Sequence, residues 1–554
     1  MTGTPASRKA TLPNEPLFQR MLEHATARPE DIVIADKGLG VEANYLKIFT
    51  DVLHMRDILQ AQAPAPANHV DSFISILIPI NYEFIVSVLA CLAAGRAFAP
   101  LRFGYNAEHT LGSIVHCRST CLIYDADETD FAAEIQRLAT ASGHHLDIIP
   151  FEFPHTPPPT ELSDLRVCLG TETPASAESP AMVTFSTGTT GLKPKAIAHS
   201  RRVFNRPWRL PPQAVFLLVA DPFHLISYLN TMTAPLVGGC KLQIIPGEGS
   251  AAEFWEQVRF GHITSFSALP CVWEEIAWYY RNHISPLPLD IRESYLSGAR
   301  RIVYPYSMGL ITPPPVLNFW RGVGQPLLNA FGTTELGGLA LSTSKETESD
   351  HYRCIGKPSP GVQVKLSEGD HGELMIKSPN AMIGYFDDPE RTKSAYDEDG
   401  FYRTGDAASL LPNGEYVYEG RINKPTKDPI ILCEGGISRL SFVEQVTGAM
   451  IPFAHEYGTH IVGVVVRLKQ DLTSHEDRDE NALAKPLRRL SITAHGLYLQ
   501  LDAMIPVAVR VLGPNNSEGS GVLKPEDVEG FFPYDKKPSF RAEIEYAVHR
   551  VCLN

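Results

Sequence analysis

An apolar run from Phe73 to Ile78 is closed by Pro79, and a helix-like stretch from Glu83 to Ala94 then stops at Gly95. A second short apolar run follows at Cys121 to Tyr124. Short apolar runs punctuated by Pro and Gly and separated by a helical stretch read as buried strands joined by a crossover. Such a crossover makes the strands parallel and lays helices over their faces, which predicts an α/β layered fold. Further strands are expected at Val215 to Ala220, Leu242 to Ile245 and Ile263 to Phe266. After about Cys354 the texture changes to short alternating strands, Glu373 to Lys377 and Glu415 to Tyr418, separated by Gly, Asp and Asn turns, which predicts a β-rich lobe. Beyond Arg421 a smaller region carries strands at His460 to Leu468 and Val507 to Leu512, with a charged, solvated linker at Ser474 to Glu480. A chain of 554 residues exceeds what one core serves. The expected division is a large, multi-lobed α/β domain over residues 1–420 and a small α+β domain over 421–554.

The net charge of -14 argues against nucleic acid or an anionic membrane as partner. No His/Cys group has zinc spacing, and the scattered cysteines suit free thiols in a reducing compartment. Met1 to Pro13 lacks the apolar centre of a secretory signal, and runs such as Phe73 to Ile78 are too short to span a bilayer. Cys552-Leu553-Asn554 is neither a peroxisomal tripeptide nor a prenylation box. A soluble cytoplasmic protein is expected.

Residues 185–195 read Phe185-Ser186-Thr187-Gly188-Thr189-Thr190-Gly191-Leu192-Lys193-Pro194-Lys195. Apolar, strand-like segments flank this loop at Ala181 to Phe185 and Ala196 to Ala198. The glycines permit close backbone approach to a ligand, and the N–H groups and hydroxyls form a donor surface for phosphate oxygens. Lys195 adds a compact charge for terminal phosphates. The spacing is not that of a Walker A loop, because Lys193 stands where the second glycine belongs. An ordinary surface turn is the competing reading.

Asn329-Ala330-Phe331-Gly332-Thr333-Thr334-Glu335 combines a ring for stacking on a base, a glycine, hydroxyls and a carboxylate. A hard Mg²⁺ ion that bridges phosphates takes an oxygen ligand such as Glu335; otherwise Glu335 merely begins a helix. Tyr402-Arg403-Thr404-Gly405-Asp406, closed by Gly420-Arg421, places a carboxylate after a glycine turn, where it can accept hydrogen bonds from ribose hydroxyls.

In order and spacing these clusters resemble the adenylate-forming superfamily: acyl-CoA synthetases, luciferases and the adenylation domains of nonribosomal peptide synthetases. The resemblance covers about Phe18 to Arg421 and includes Gly356-Lys357-Pro358 and Gly384-Tyr385 followed by Pro389 to Thr392. It implies a two-step reaction in which a carboxylate attacks the α-phosphate of ATP and a thiol, of CoA or of a carrier-protein phosphopantetheine, then displaces AMP. Carried over position by position, Ser186, Thr187, Gly188, Thr189, Thr190 and Gly191 hold the β/γ-phosphates with Lys195. Asn329, Ala330, Phe331 and Gly332 contact the nucleotide, Thr334 the α-phosphate, Glu335 the metal and Asp406 the ribose. Arg421 stands at the hinge before the small domain, and Ser297-Gly298-Ala299 matches a segment lining the adenine and acyl pockets.

Pro222-Phe223-His224-Leu225-Ile226-Ser227 resembles the stretch of acyl-CoA synthetases whose histidine borders the carboxylate pocket. Phe223, His224, Ser227, Ser297, Gly332 and Thr333 are the implied acyl-pocket residues. Amino-acid-activating relatives place an aspartate there, since a buried ammonium needs a counter-charge. An aryl or aliphatic acid is therefore expected, with His224 as a plain core histidine the alternative.

Three departures from the family pattern stand out. The glycine loop has one residue more than usual before Pro194, and Ala196 replaces a glycine. Asn423 occupies the hinge position, and Lys424 to Ile431 looks like an insertion before Gly435-Gly436. The family's terminal Gly-Lys pair becomes Gly521-Val522-Leu523-Lys524, so the lysine of adenylation is Lys524 or is replaced by Lys536 or Lys537. The expected activity is an ATP- and Mg²⁺-dependent acid–thiol ligase with CoA as acceptor. The alternatives are an enzyme loading a separate carrier protein and a non-catalytic nucleotide-binding relative.

Overall fold

The computed structural model describes residues 10–64, 73–101, 106–155, 161–170, 176–186, 195–205, 210–211, 213–219, 225–245, 251–309, 311–422, 443–455, 458–468 and 507–512. The chain divides into two compact units. One comprises Met1–Leu101, Ser113–Ser186 and Lys195–Asn423; the other comprises Arg102–Gly112, Thr187–Pro194 and Lys424–Asn554.

The first unit is α/β, as the alternation of strands and helices predicts. Phe73–Leu77 is a wholly buried strand, parallel to Ala97–Pro100 on one side and Cys121–Tyr124 on the other. The intervening helix, Tyr82–Ala93, starts where the Asn81 side chain accepts the Phe84 N–H at 3.0 Å. Such a cap satisfies a helix-end donor that would otherwise be orphaned. Gly95, at φ 71°, takes the chain out of the helix in a conformation that favours glycine. These strands lie in a 7-stranded sheet that also holds Asp147–Pro150, Pro180–Ser186, Lys195–Ser200 and Gly384–Tyr385.

A 13-stranded sheet carries the rest of this unit. Ile34–Asp36, Lys241–Ile245, Val215–Val219, Ser265–Ala268, Tyr304–Met308 and Leu328–Thr333 run parallel in that order. Gly338–Ser342 then turns back antiparallel to Leu328–Thr333, and every pairing beyond it is antiparallel. The β-rich lobe expected after Cys354 is thus joined edge to edge with the α/β sheet.

An aromatic core backs the parallel strands. Trp255, Trp273 and Trp320 are fully buried, with ring centroids 5.8 Å apart for Trp255–Trp320 and 4.9 Å for Trp273–Trp320. Trp273 Nε1 donates to the Tyr306 carbonyl at 3.0 Å, which ties this core to the Tyr304–Met308 strand.

In the second unit Val443–His455 pairs antiparallel with Gly458–Leu468, which pairs in parallel with Val507–Leu512. The last two match the sequence expectation, whereas Val443–His455 was not foreseen. The Ser474 to Glu480 linker lies outside the described residues, as does the insertion at Lys424 to Ile431.

Buried charge fixes the far end of the Lys195–Ser200 strand. Arg201 Nε donates to Glu15 Oε1 at 2.7 Å, and a terminal nitrogen of the same guanidinium donates to the Leu92 carbonyl at 2.9 Å, with both side chains buried. Burial raises the Glu15 carboxyl above its ordinary value, and the Arg201 charge opposes that rise. Removing one partner of a buried pair strands the other charge. Arg201→Met should therefore cost about 3–5 kcal/mol in urea unfolding, and adding Glu15→Gln should recover part of that loss.

Candidate active site

Two strands bracket the glycine loop. Pro180–Ser186 and Lys195–Ser200 form an antiparallel pair in which Ser186 faces Lys195. Thr187, Gly188, Thr189, Thr190 and Gly191 lie outside the described residues, and Ser186 is described through its backbone alone.

The first described residue after the loop, Lys195, points its ammonium at a carboxylate. Its Nζ is 3.7 Å from Glu335 Oε1 and 5.5 Å from the centroid of the Tyr385 ring. Burial lowers the Lys195 pKa, and the Glu335 charge pulls it partly back. The pair is largely removed from water, with side-chain exposures of 18% and 10%. Its attraction is therefore stronger than that of an exposed ion pair.

Glu335 reaches this position because the chain turns sharply after Leu328–Thr333. The pairing with Gly338–Ser342 slips between Phe331 and Gly332, and a Cβ at Gly332 would run into the Gly338 carbonyl. Thr334–Leu336 forms one 3₁₀ turn, ended by Gly337 at φ 71°. Glu335 does begin a short helical turn, yet its carboxylate points inward rather than capping that turn. The Tyr385 hydroxyl donates to Glu335 Oε1 at 3.1 Å and lies 3.5 Å from the Tyr402 hydroxyl. The Met382 N–H donates to the Glu335 carbonyl at 2.7 Å, which pins the backbone as well. Burial foremost, then the Glu335 charge, raises both phenols above their ordinary values.

Asp406 lies on Tyr402–Leu410, opposite Arg421 at the end of Tyr416–Arg421. Arg421 Nε is 3.2 Å from Asp406 Oδ1, and the Tyr418 hydroxyl donates to the same oxygen at 3.1 Å. Tyr418 also packs against Phe331, with ring centroids 6.2 Å apart. Phe331, Asp406 and Arg421 thereby share one neighbourhood, linked by Tyr418.

Asn329 and Ala330 precede Phe331 on the same strand, with Ala330 buried. The Asn329 side chain is occupied structurally: its Oδ1 accepts from Thr312 at 3.0 Å, and its Nδ2 donates to the Tyr352 and Cys354 carbonyls at 3.2 and 3.0 Å. Any contact with a nucleotide there falls to the backbone. The Thr333 hydroxyl is buried and has no hydrogen-bond partner among the described residues.

Ser297, Gly298 and Ala299 require a correction, because they do not join these residues. They end the Leu289–Ala299 helix, which feeds the beginning of the Tyr304–Met308 strand. In parallel α/β sheets ligands sit at the opposite edge, beyond the strand carboxyl ends. A Cβ at Gly298 would strike the Val258 carbonyl, so this glycine serves close packing on the Ala251–Phe260 helix. The residues at the carboxyl edge of that region are instead Ser307, Met308 and Gly309, since Met308 ends its strand and pairs with Ala330. Ser307 accepts from the Thr312 hydroxyl at 2.8 Å. Tyr385, Tyr402 and Tyr418 were also missed as partners of the two acids, although Gly384-Tyr385 and Tyr402 lay within segments already singled out. Phe223, His224 and Lys524 lie outside the described residues. Ser227 falls in the Leu225–Gly238 helix.

An acid and a lysine facing each other, a second acid beside a pair of packed rings, and a parallel sheet that turns antiparallel between them fit the adenylate-forming class. The AMP-binding enzyme family matches residues 23–386, and the chain belongs to that family. The chain is similar to an acyl-CoA ligase, oryP, of Aspergillus oryzae, at 28% identity over 94% of this chain and 93% of the relative. It is also similar to a malonate–CoA ligase of Arabidopsis thaliana, at 26% identity over 63% of this chain and 59% of that one. The fold matches a malonyl-CoA ligase with methylmalonyl-CoA and AMP bound, at TM-score 0.62 and 18% identity over 89% of this chain and 99% of the other. An amide bond synthetase, McbA, from Marinactinospora thermotolerans also matches at TM-score 0.62, with 16% identity over 93% of this chain and 99% of that structure. The expectation of an adenylate-forming acid–thiol ligase that uses ATP and CoA is borne out. Among the described residues no helix is long and apolar enough to cross a membrane.

Gly337 sets the turn that aims Glu335, and a Cβ there would collide with the Asn380 carbonyl. Gly337→Ala should cost about 1–3 kcal/mol in denaturant unfolding, through the positive φ and the clash together. It should also slow pyrophosphate release at saturating ATP, because the carboxylate is displaced.

Proposed function

We propose that the chain converts a non-amino carboxylic acid, aryl or aliphatic, into its acyl-adenylate and then its CoA thioester. The observation that carries this reading is the inward-turned Glu335, paired with Lys195 3.7 Å away. In the first step a carboxylate oxygen attacks the α-phosphorus of ATP, the bond from that phosphorus to the bridging oxygen breaks, and pyrophosphate leaves. In the second the CoA sulfur attacks the acyl carbon, AMP leaves with its oxygen, and the thiol proton passes to solvent. Both steps need positioning and neutralised charge more than covalent help from the protein.

Each residue then has a part. Ser186, Thr187, Gly188, Thr189, Thr190 and Gly191 donate to the β/γ-phosphates, and Lys195 supplies their counter-charge. Thr334 contacts the α-phosphate, Asp406 holds the ribose and Phe331 packs on the base. Phe223, His224, Ser227 and Thr333 shape the acid's pocket, and the histidine stands where an amino-acid-activating enzyme needs an anion. Residues 1–420 carry the nucleotide and residues 421–554 form the small domain that contributes Lys524.

Mg²⁺ fits the donor set in one manner. The described residues contain no group of three or more His, Cys, Asp or Glu side chains able to hold an ion, so a resident metal has no cage there. A single carboxylate such as Glu335 suits an ion that arrives already bound to phosphates and keeps its waters. Bound in that way, Mg²⁺ would neutralise the phosphate charge and favour pyrophosphate as leaving group.

A panel of aryl, aliphatic and dicarboxylic acids supplied with ATP and Mg²⁺ tests the reading. Pyrophosphate release with a matching acid, and a CoA thioester once CoA is added, are expected. Release without thioester would favour a carrier protein as acceptor; ATP binding without release would favour a non-catalytic relative. Glu335→Gln should lower kcat by roughly 100-fold or more. Lys524→Ala should slow adenylation by a similar factor, while thioester formation from a supplied acyl-adenylate stays near wild type; an unchanged adenylation rate would remove Lys524 from the reaction.

A further inference from the structure

We infer that Tyr385 is the positioning residue for Glu335, its hydroxyl fixing the carboxylate orientation in which the Mg²⁺–nucleotide complex is met. This rests on the reading of Glu335 as the metal-facing acid. Tyr385 belongs to a strand of two residues, Gly384–Tyr385, at the edge of the 7-stranded sheet, where it pairs with Ile197 on the strand that starts at Lys195. Glu335 comes instead from the turn after a strand of the 13-stranded sheet. The 3.1 Å bond from the Tyr385 hydroxyl to Glu335 therefore ties the two sheets together at the acid itself.

So short a strand is held by its surroundings. The Tyr385 N–H donates to the Thr392 hydroxyl at 2.8 Å, and Thr392 in turn donates to the Asp388 carbonyl at 2.8 Å. A Cβ at Gly384 would stand only 2.8 Å from Thr392, so the strand and the Pro389–Ser394 helix are in close contact. Arg391 stacks on the Tyr385 ring at 4.9 Å, and Tyr402 stands behind the hydroxyl at 3.5 Å. The phenol has little freedom to leave.

Lys195 and Tyr385 both reach Glu335 Oε1, but they are not equivalent. Lys195 is a flexible point charge that phosphate oxygens compete for. Tyr385 is rigid and neutral, so it orients the carboxylate without cancelling the charge a cation needs. When Lys195 turns to phosphate, the tyrosine hydrogen bond keeps the acid in place.

The experiment compares wild type with Tyr385→Phe, which retains the ring and its packing and loses only the hydroxyl. Mn²⁺ binding to the protein–ATP complex, followed by electron paramagnetic resonance without turnover, should weaken roughly tenfold, the loss expected for a hydrogen bond to a charged group. Metal-free ATP affinity, the KM for the acid and the melting temperature should stay near wild type. Unchanged Mn²⁺ affinity in Tyr385→Phe, beside weakened affinity in Glu335→Gln, would overturn the positioning role and leave the metal reading standing. Unchanged affinity in Glu335→Gln would overturn both. Should Tyr385→Phe fail to fold, Tyr402→Phe decides: a smaller weakening of Mn²⁺ binding is expected, and no change would overturn the proposal.

Discussion

The attraction between Lys195 and Glu335 organises this molecule around one point. The lysine opens a strand of one sheet and the glutamate sits on a turn leaving a strand of the other. Bringing two charges out of water is costly unless each finds its partner with good geometry. The surroundings meet that condition. Tyr385 and Tyr402 supply neutral hydroxyls beside the carboxylate, Met382 holds its backbone, and two glycines let the turn close. Neither half of the pair would keep its direction without the fold on both sides.

The second acid is built on different lines. Asp406 is held by Arg421 and Tyr418 within a run of antiparallel strands, where neighbours are set by register and not by a turn. Tyr418 links it to Phe331, so the ring and the acid are placed together by one aromatic contact. One strand, Leu328–Thr333, thus leads both to the ring and to the turn that carries Glu335.

Much of this was legible in the residues. The buried strands at Phe73–Leu77 and Cys121–Tyr124 and the helix between them are written in apolar runs broken by Pro79 and Gly95. The two acids and the lysine were also found, because glycine turns beside charged residues leave a local signature. What escaped notice depends on pairing across the chain. Ser297-Gly298-Ala299 carries suggestive letters, yet only strand direction shows that a helix end preceding Tyr304–Met308 lies at the wrong edge of the sheet. Tyr385 gives no local sign of bonding to a residue fifty positions away. Val443–His455 was missed because its partner strand, not its own pattern, identifies it.

The place of Lys195 at the start of a strand has one more consequence. A phosphate loop that opens a helix draws part of its positive field from aligned backbone dipoles, and that field cannot move. Lys195 opens a strand, opposite Ser186, and meets Glu335 through its side chain. Its positive charge is carried by a side chain with several rotatable bonds. A charge on a flexible stem can turn from one anionic partner to another without any change in the backbone, which aligned dipoles cannot do.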